Sequence, residues 1–376
     1  MVGGCVQAQV ILHTESSVGF GGQEMRIIAE SRWLRAHGRR PLIAAQPGSP
    51  LLAEARRAEV PAIEVAMRAA WDLGAILALR RLIRAHAVDL VHTHSSIDAW
   101  VAGLAARSLG VAIVRSRHVT IPIARRRALV YRLADRVITS GEAVAAIVRA
   151  AGVPADRVVA IGPGVDTTRF HPGVSGGGVR AELGLHGPAV GLVANIRGSK
   201  GHAYFLEAAS YVVREHADAR FVIVGDGVGF DDVRRRVKDA GLEASVIMTG
   251  FRRDIPEVMA ALDVLVLPST RSEASSQVVP QALAVGTPVV GTTVGGTPEL
   301  IRDGETGRLV PPADGPALAA AILDVLRDPS RARAMARRGQ ARVLAEHSLD
   351  ASMARTLAVY DAARAARPGA ARRKWI

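Results

Sequence analysis

Short apolar runs and longer stretches of helical periodicity alternate along this chain. Residues 6–13 predict a first strand, and residues 23–36 a helix stopped by Gly38. Residues 42–45 predict the next strand, 73–85 a helix and 90–93 another strand. A helix near 99–109 precedes a strand at 112–115, a helix at 125–133 and a strand at 136–139. The second half repeats the alternation, with strands at 190–194, 221–224, 246–249, 264–267 and 289–291, and reads as all helix from Pro316 onward. Strands spaced by helices predict an α/β chain with parallel, doubly wound sheets. Between the halves, residues 161–172 are dense in Pro and Gly, and Gly176-Gly177-Gly178 follows, so regular structure breaks there and a hinge is permitted.

At 376 residues the chain is long enough for two such domains with separate cores. The expected division is a first domain of residues 1–165, a second of 166–350, and a last segment of 351–376. Its tail from Pro368 carries Arg372, Arg373 and Lys374 and is expected to be disordered. Aromatic residues make up only 4% of the chain, so Ala, Val and Leu must fill the cores. No apolar run reaches the length of a membrane-spanning helix, and the N-terminus lacks the basic start and apolar stretch of a signal peptide. A single cysteine, Cys5, excludes an internal disulfide or a cysteine-based zinc site. These features fit a cytoplasmic protein.

The formal charge is +13, and residues 1–165, with 21 basic and 12 acidic side chains, carry most of the excess. No nucleic-acid-binding module accompanies it, so an anionic substrate or an anionic membrane surface is the better partner class.

The densest chemistry lies in residues 267–300. A strand ends at Pro268, and a polar loop carries one isolated acid, Glu273. A helix beginning near Ser275 or Ser276 passes Gln277, Val278 and Gln281 and stops at Gly286. A further strand feeds the turn Val294-Gly295-Gly296-Thr297. Open α/β sheets bind ligands where strand ends meet helix starts, and the free N–H groups of a helix start favour phosphate. A carboxylate beside a bound anion makes sense when it contacts neutral hydroxyls, which points to a phosphorylated sugar.

Four other loops add to this. Gly21 and Gly22 follow the first strand without forming a G-x-G-x-x-G dinucleotide fingerprint, and two residues without Cβ let a substrate approach the backbone closely. Arg197 and Lys200 follow the first strand of the second domain, where fixed cations can clamp phosphate. Gly225-Asp226-Gly227 and Gly250-Phe251-Arg252 follow the next strands. In the first domain, His94 and His118 sit at strand ends, and Arg115, Arg117, Arg125, Arg126 and Arg127 surround His118 in sequence. No metal-ligand motif emerges, and no metal or other cofactor is expected.

This ordered set of segments resembles the GT4 family of retaining glycosyltransferases, which have the GT-B architecture. Its donor-site signature runs Glu-x7-Glu, then G-x-P-V-V, then GG-x-P-E. Glu273 stands at the first glutamate, Gly286-Thr287-Pro288-Val289-Val290 at the middle, and Gly295-Gly296-Thr297-Pro298-Glu299 at the turn. Gln281 replaces the second glutamate, a departure from the pattern. The resemblance spans nearly the whole chain. It implies two Rossmann-like domains facing a cleft, the first binding an acceptor and the second a nucleotide-sugar, with the last helices, near 355–364, returning to the first domain. It implies that Glu273 holds donor-sugar hydroxyls and that backbone N–H groups of Gln277 and Val278 face the phosphates. Gln281 would meet the ribose, and Lys200, with Arg197, would meet the diphosphate. It places Gly21 and Gly22 over the donor, Gly225, Gly250 and Phe251 near the donor nucleotide, and His118 by the reacting sugar, with His94, Arg115 and Arg117 on the acceptor side. The implied reaction is metal-independent, retaining sugar transfer to a hydroxyl of a glycan, lipid or small molecule, in a setting such as bacterial envelope or polysaccharide assembly. The rivals are a sugar-nucleotide epimerase of the same architecture, for which no acid/base set is visible, and a non-catalytic nucleotide-sugar-binding protein.

Overall fold

The computed structural model describes residues 8–367. Cys5 and the tail beginning at Pro368 lie outside the described residues. Contacts divide the chain into two units at Gly162/Pro163 and again at Ser348/Leu349, so that the first unit takes back the C-terminal helix.

The first unit is built on seven strands: β1 (Val10–Glu15), β2 (Arg40–Ala45), β3 (Ala62–Glu64), β4 (Leu90–Thr93), β5 (Ala112–Arg117), β6 (Arg136–Thr139) and β7 (Val158–Ala160). They lie in the order β3-β2-β1-β4-β5-β6-β7, every pair parallel. Parallel pairing demands crossover helices on both faces, which explains why residues such as Ile11, Leu12, Ile43, Val91 and Ile113 are all buried regardless of which way they point. One face packs on the Leu73–Ala85 and Ser96–Leu109 helices. The other packs in part on the C-terminal helix Leu349–Ala365, whose Met353, Tyr360 and Ala363 are fully buried among Ile11, Leu90 and Ile138.

The second unit carries β8 (Ala189–Val193), β9 (Arg220–Val224), β10 (Val246–Gly250), β11 (Val264–Leu267), β12 (Val289–Thr292) and β13 (Arg308–Val310). Their order is β10-β9-β8-β11-β12-β13, again all parallel. Core clusters built around Phe205, Phe221 and Leu318 on one side and Met259, Leu265 and Leu283 on the other cover its two faces.

Each sheet therefore winds outward in both directions from its first strand. The switch points lie between β1 and β4 in the first unit and between β8 and β11 in the second. Helices leave to opposite faces there and open a crevice at the strand ends, the expected place for a ligand.

Several elements escape the sequence pattern. The three-residue strands β3, β7 and β13 are too short to show a period, and the Pro50–Arg57 and Glu142–Ala150 helices went unassigned. The first strand starts at Val10, within a prediction that began at residue 6. The predicted 125–133 helix is two pieces, an α-turn at Arg125–Ala128 and a 3-10 segment at Leu129–Leu133. The all-helical end is interrupted by a π turn at Val343–His347.

Candidate active site

In the second unit, the switch-point loops knit together around Glu273. Pro268 ends β11, and Ser269, fully buried, donates its hydroxyl to Glu273 Oε2 at 2.7 Å. From the loop after β8, Lys200 Nζ reaches the same oxygen at 2.6 Å. Both side chains are largely shielded, 13% and 7% exposed, so this is a desolvated ion pair rather than a surface one. The loops can close this far because of two glycines. Gly201 adopts a φ of +74°, and a Cβ there would stand 1.7 Å from the Pro268 carbonyl oxygen. Gly295 adopts a φ of +56°, and its Cβ would stand 1.8 Å from the Glu273 carbonyl oxygen. No side chain fits either place, so the backbone itself becomes the wall of the site.

The same packing corrects the expected helix start. The helix after Glu273 runs Val278–Val285, with Gln277 at its N-cap, and does not begin at Ser275 or Ser276. The Glu273 carbonyl accepts from Gly296 N–H at 2.9 Å instead of from a helical donor four residues ahead, which keeps the intervening loop open. Pro280 supplies no N–H, so Val278 and Val279 carry the free donors of this first turn. Gln281, half-buried, sits one turn in, its N–H bonded to the Gln277 carbonyl.

The remaining donor-side candidates line neighbouring loops. Gly225 N–H bonds to the Gly250 carbonyl at 2.9 Å, joining the ends of β9 and β10. Phe251 next to it is 60% exposed, with Arg253 over its ring at 5.5 Å. Arg197 is exposed at the start of the 3-10 turn that ends in Lys200. His202, one residue beyond Gly201, is buried. Burial, with Lys200 adding to it, lowers its pKa to about 4, so it is neutral beside the ion pair at pH 7.

The first unit's switch point is lined by a different chemistry. In register, His13 of β1 lies opposite His92 of β4, and His94 and His118 follow the ends of β4 and β5. His13 and His92 are fully buried, His94 nearly so, and His118 is half-buried. Burial lowers the pKa of all four, to about 4 for His13 and about 3 for His118, so all are neutral at pH 7. Beside them, Asp98 takes the Thr14 hydroxyl at 3.0 Å and the His94 backbone N–H at 2.8 Å. Glu15, at the end of β1, accepts from Ser17 N–H and from the Gln23 amide. Its pKa is raised to about 7, first by burial and then by the Asp98 charge.

Gly21 caps the Gly22–Ala36 helix at a φ of −163°, ordinary extended backbone, so torsion alone does not require glycine there. Glu24 is occupied with that cap, accepting from Gly21 N–H at 2.8 Å. Arg115 is turned inward, 5% exposed, its guanidinium 4.3 Å from the centre of the Tyr131 ring. Arg117 is half-buried and donates to the Tyr131 hydroxyl at 3.1 Å and to the Ile121 carbonyl. Of the arginines expected around His118, Arg126 and Arg127 are the outward-facing ones whose side chains are described.

Among the described residues, His13, His92 and His94 are a group whose nitrogens come within 4.8 Å of one another, as metal ligands do. His92, however, has both ring nitrogens engaged at 2.8 Å, by the Tyr360 hydroxyl and by Ser116 Oγ. The sequence reading missed His13, His92, Ser269, Glu15 and Asp98. The alternation His92-Thr93-His94 did carry a signal, since residues two apart on a strand share a face.

Residues 187–328 match the family model described as glycosyl transferases group 1, and residues 20–169 match that described as glycosyltransferase family 4. The alpha-D-kanosaminyltransferase of Streptomyces kanamyceticus is 31% identical over 77% of this chain and 82% of its own length. The D-inositol 3-phosphate glycosyltransferase of Streptomyces scabiei is 32% identical over 73% of this chain and 68% of its own. Anabaena HepE, solved in complex with UDP, superposes with a TM-score of 0.83 over 93% of this chain and 99% of its own, at 22% identity, a likeness of fold.

Proposed function

This chain belongs to the group 1, GT4 family of retaining glycosyltransferases, and from that premise we propose how its residues divide the work of sugar transfer. The second unit takes the nucleotide-sugar. The first takes a hydroxyl-bearing glycan, lipid or small-molecule acceptor, in a cytoplasmic setting of bacterial envelope or polysaccharide assembly. The observation that carries this reading is the Lys200–Glu273 pair at the second switch point. A fixed ammonium and a fixed carboxylate 2.6 Å apart match the junction of a nucleotide-sugar, where phosphate oxygens that need a cation adjoin sugar hydroxyls that need an acceptor.

In this assignment Lys200 takes the diphosphate charge with Arg197 and the N–H groups at Gln277 and Val278, so transfer needs no metal. Glu273 accepts from sugar hydroxyls and holds the anomeric carbon in place. Gln281 hydrogen-bonds the ribose, and Gly225, Gly250 and Phe251 border the nucleotide. Gly21 and Gly22 cover the donor, and His118 and His94 meet the reacting sugar and the acceptor. Fixed groups aimed at the developing diphosphate charge stabilise its departure without reorganising. The departing phosphate accepts the acceptor's proton on the face it leaves, so the new bond keeps the anomeric configuration.

Incubation with a panel of UDP- and GDP-sugars and candidate acceptors tests this, with the anomeric configuration of the product read by NMR and EDTA added in parallel. Transfer with retention, undiminished by EDTA, is expected. Sugar epimerisation without an acceptor would replace the assignment, and activity lost to EDTA and restored by Mg²⁺ or Mn²⁺ would overturn its metal-free part.

Exposed apolar residues beside the basic loop favour peripheral contact with anionic lipid. Val119 and Ile121 are 44% and 61% exposed, a few residues before Arg126 and Arg127. No helix among the described residues is long and apolar enough to cross a membrane. Co-sedimentation with anionic vesicles, released by salt and absent with neutral vesicles, is the expected result.

A further inference from the structure

The histidines of the first unit are ordered in a way that the family assignment does not use. His13 Nδ1 lies 3.0 Å from His94 Nε2, and His94 Nδ1 lies 3.4 Å from His118 Nε2. The planes of these two ring pairs are close to parallel, at 22° and 13°, with ring centres 5.2 and 5.7 Å apart. In each pair the centre-to-centre distance exceeds the nitrogen-to-nitrogen distance by roughly two ring radii. The facing nitrogens therefore lie on the line between centres, and the rings meet edge to edge in the geometry of in-plane hydrogen bonds.

A neutral imidazole carries one proton on two nitrogens, so in a chain of three such rings every proton must point the same way. Either each ring donates toward His13, leaving His118 Nδ1 bare, or each donates toward His118, leaving Nδ1 protonated. The buried end decides between them. His13 Nε2 and Glu30 Oε2 are both buried without a partner among the described residues. Glu30 holds Arg26 through its other oxygen at 2.6 Å, and Arg26 also reaches the Ile161 carbonyl. Of these two charges, Glu30 acts on His13 more strongly. Nδ1 of His13 is already taken by His94, so Nε2 is the nitrogen left open, and a nearby negative group favours a proton there over a lone pair. That choice runs through His94 to His118.

We propose that His13 and His94 are positioning residues in an imidazole relay, ordered by Glu30, that presents His118 to the acceptor as a bare Nδ1 lone pair. This deepens the acceptor-side reading of His118 and rests on it. In the waiting complex the acceptor's hydroxyl donates its hydrogen bond to Nδ1, which orients the oxygen toward the reacting sugar. As the new C–O bond forms and the C–O bond to the phosphate breaks, the O–H turns from Nδ1 to the departing phosphate, which takes the proton, and Nδ1 keeps its lone pair. No proton is consumed or released by the relay. His92 packs across His94, its ring centre 4.2 Å away, and its two hydroxyl partners fix it, so it supports the relay without joining it. His92 is engaged at both nitrogens, and His13 Nδ1 and His94 Nε2 face each other, so hydrogen bonds account for this packing everywhere but at His13 Nε2, the open end of the relay.

The test is a two-bond ¹H–¹⁵N correlation on the full chain labelled in histidine, at pH 7 and without substrate. The His118 signals are identified by their loss in His118→Gln. The expected pattern is one tautomer for each of His13, His94 and His118, with the proton on Nε2. In Glu30→Gln, His118 should shift toward a mixture, a change that a purely structural role for Glu30 would not produce. A proton on His118 Nδ1 in the native chain overturns the proposal even if Glu30→Gln fails to fold. Stoichiometric zinc with metal-shifted histidine signals overturns it as well. Failure of every acceptor would remove the transfer assignment but leave the tautomers standing, and a wrong tautomer would leave transfer untouched.

Discussion

Two sheets of the same design end in two crevices built on opposite electrostatic terms. At the second switch point, a lysine and a glutamate meet as full charges, shielded from water and walled by backbone that glycines bring close. At the first, burial has left four imidazoles neutral and pushed Glu15 up to about 7. The same topology thus supplies position, and the side chains at the strand ends decide whether that position holds charge or directs hydrogen bonds. A charged diphosphate suits the former, and the neutral hydroxyls of an acceptor suit the latter.

The largest test of this contrast is acid. A buried neutral histidine contributes stability that is complete above its unfolded value near 6.5 and is lost as pH falls through its folded value. At pH 5, His13 and His118, with folded values of about 4 and about 3, together cost the first unit about 4 kcal/mol, with His92 and His94 adding in the same direction. Glu15, with a folded value of about 7, works the other way, as do Asp98 and Asp135, which burial also raises; each favours the protonated fold as pH falls and offsets part of this. The second unit's switch point holds one such histidine, His202. The first unit should therefore open at higher pH than the second. Trp33, Trp71 and Trp100 all lie in the first unit, so tryptophan fluorescence should change before far-UV circular dichroism completes its transition. Coincident transitions would erase the contrast.

Next comes the ion pair. Removing one member leaves the other buried and uncompensated, so Lys200→Ala and Glu273→Ala should each destabilise the second unit by about 3–5 kcal/mol, and the double variant by less than their sum. Function should separate the two. Lys200→Ala should weaken nucleoside diphosphate binding by about 1.5–3 kcal/mol, whereas Glu273→Gln should lower turnover by about 2–4 kcal/mol with little change in nucleotide affinity. Calorimetry with UDP and GDP beside transfer rates reads both, and the reverse pattern would exchange the two roles.

The smallest effect lies at Gln281. Gln281→Ala should weaken donor binding by about 0.5–1.5 kcal/mol, the net value of a neutral hydrogen bond, and Gln281→Glu should preserve or strengthen it. Weaker binding in Gln281→Glu would mean that the amide, and not a shared hydroxyl contact, is what this position supplies.

By itself, the sequence determined the parallel α/β class and most of the longer strands, because buried strands and amphipathic helices leave different periods in the chain. It also marked the loops that carry Glu273, Lys200 and the glycine turn, because residue types rare elsewhere cluster at strand ends there. The tertiary structure alone decided how those groups meet. That Lys200 closes on Glu273, 73 positions away, follows from the adjacency of β8 and β11 and from glycines whose absent Cβ atoms admit the approach. That Arg115 turns inward onto Tyr131, while His13, His92 and His94 gather into one network, follows from strand order and from which face each residue takes. Local pattern records how a segment can bury itself. Only packing brings distant segments together, and a shifted pKa or a relay of hydrogen bonds exists only once they have met.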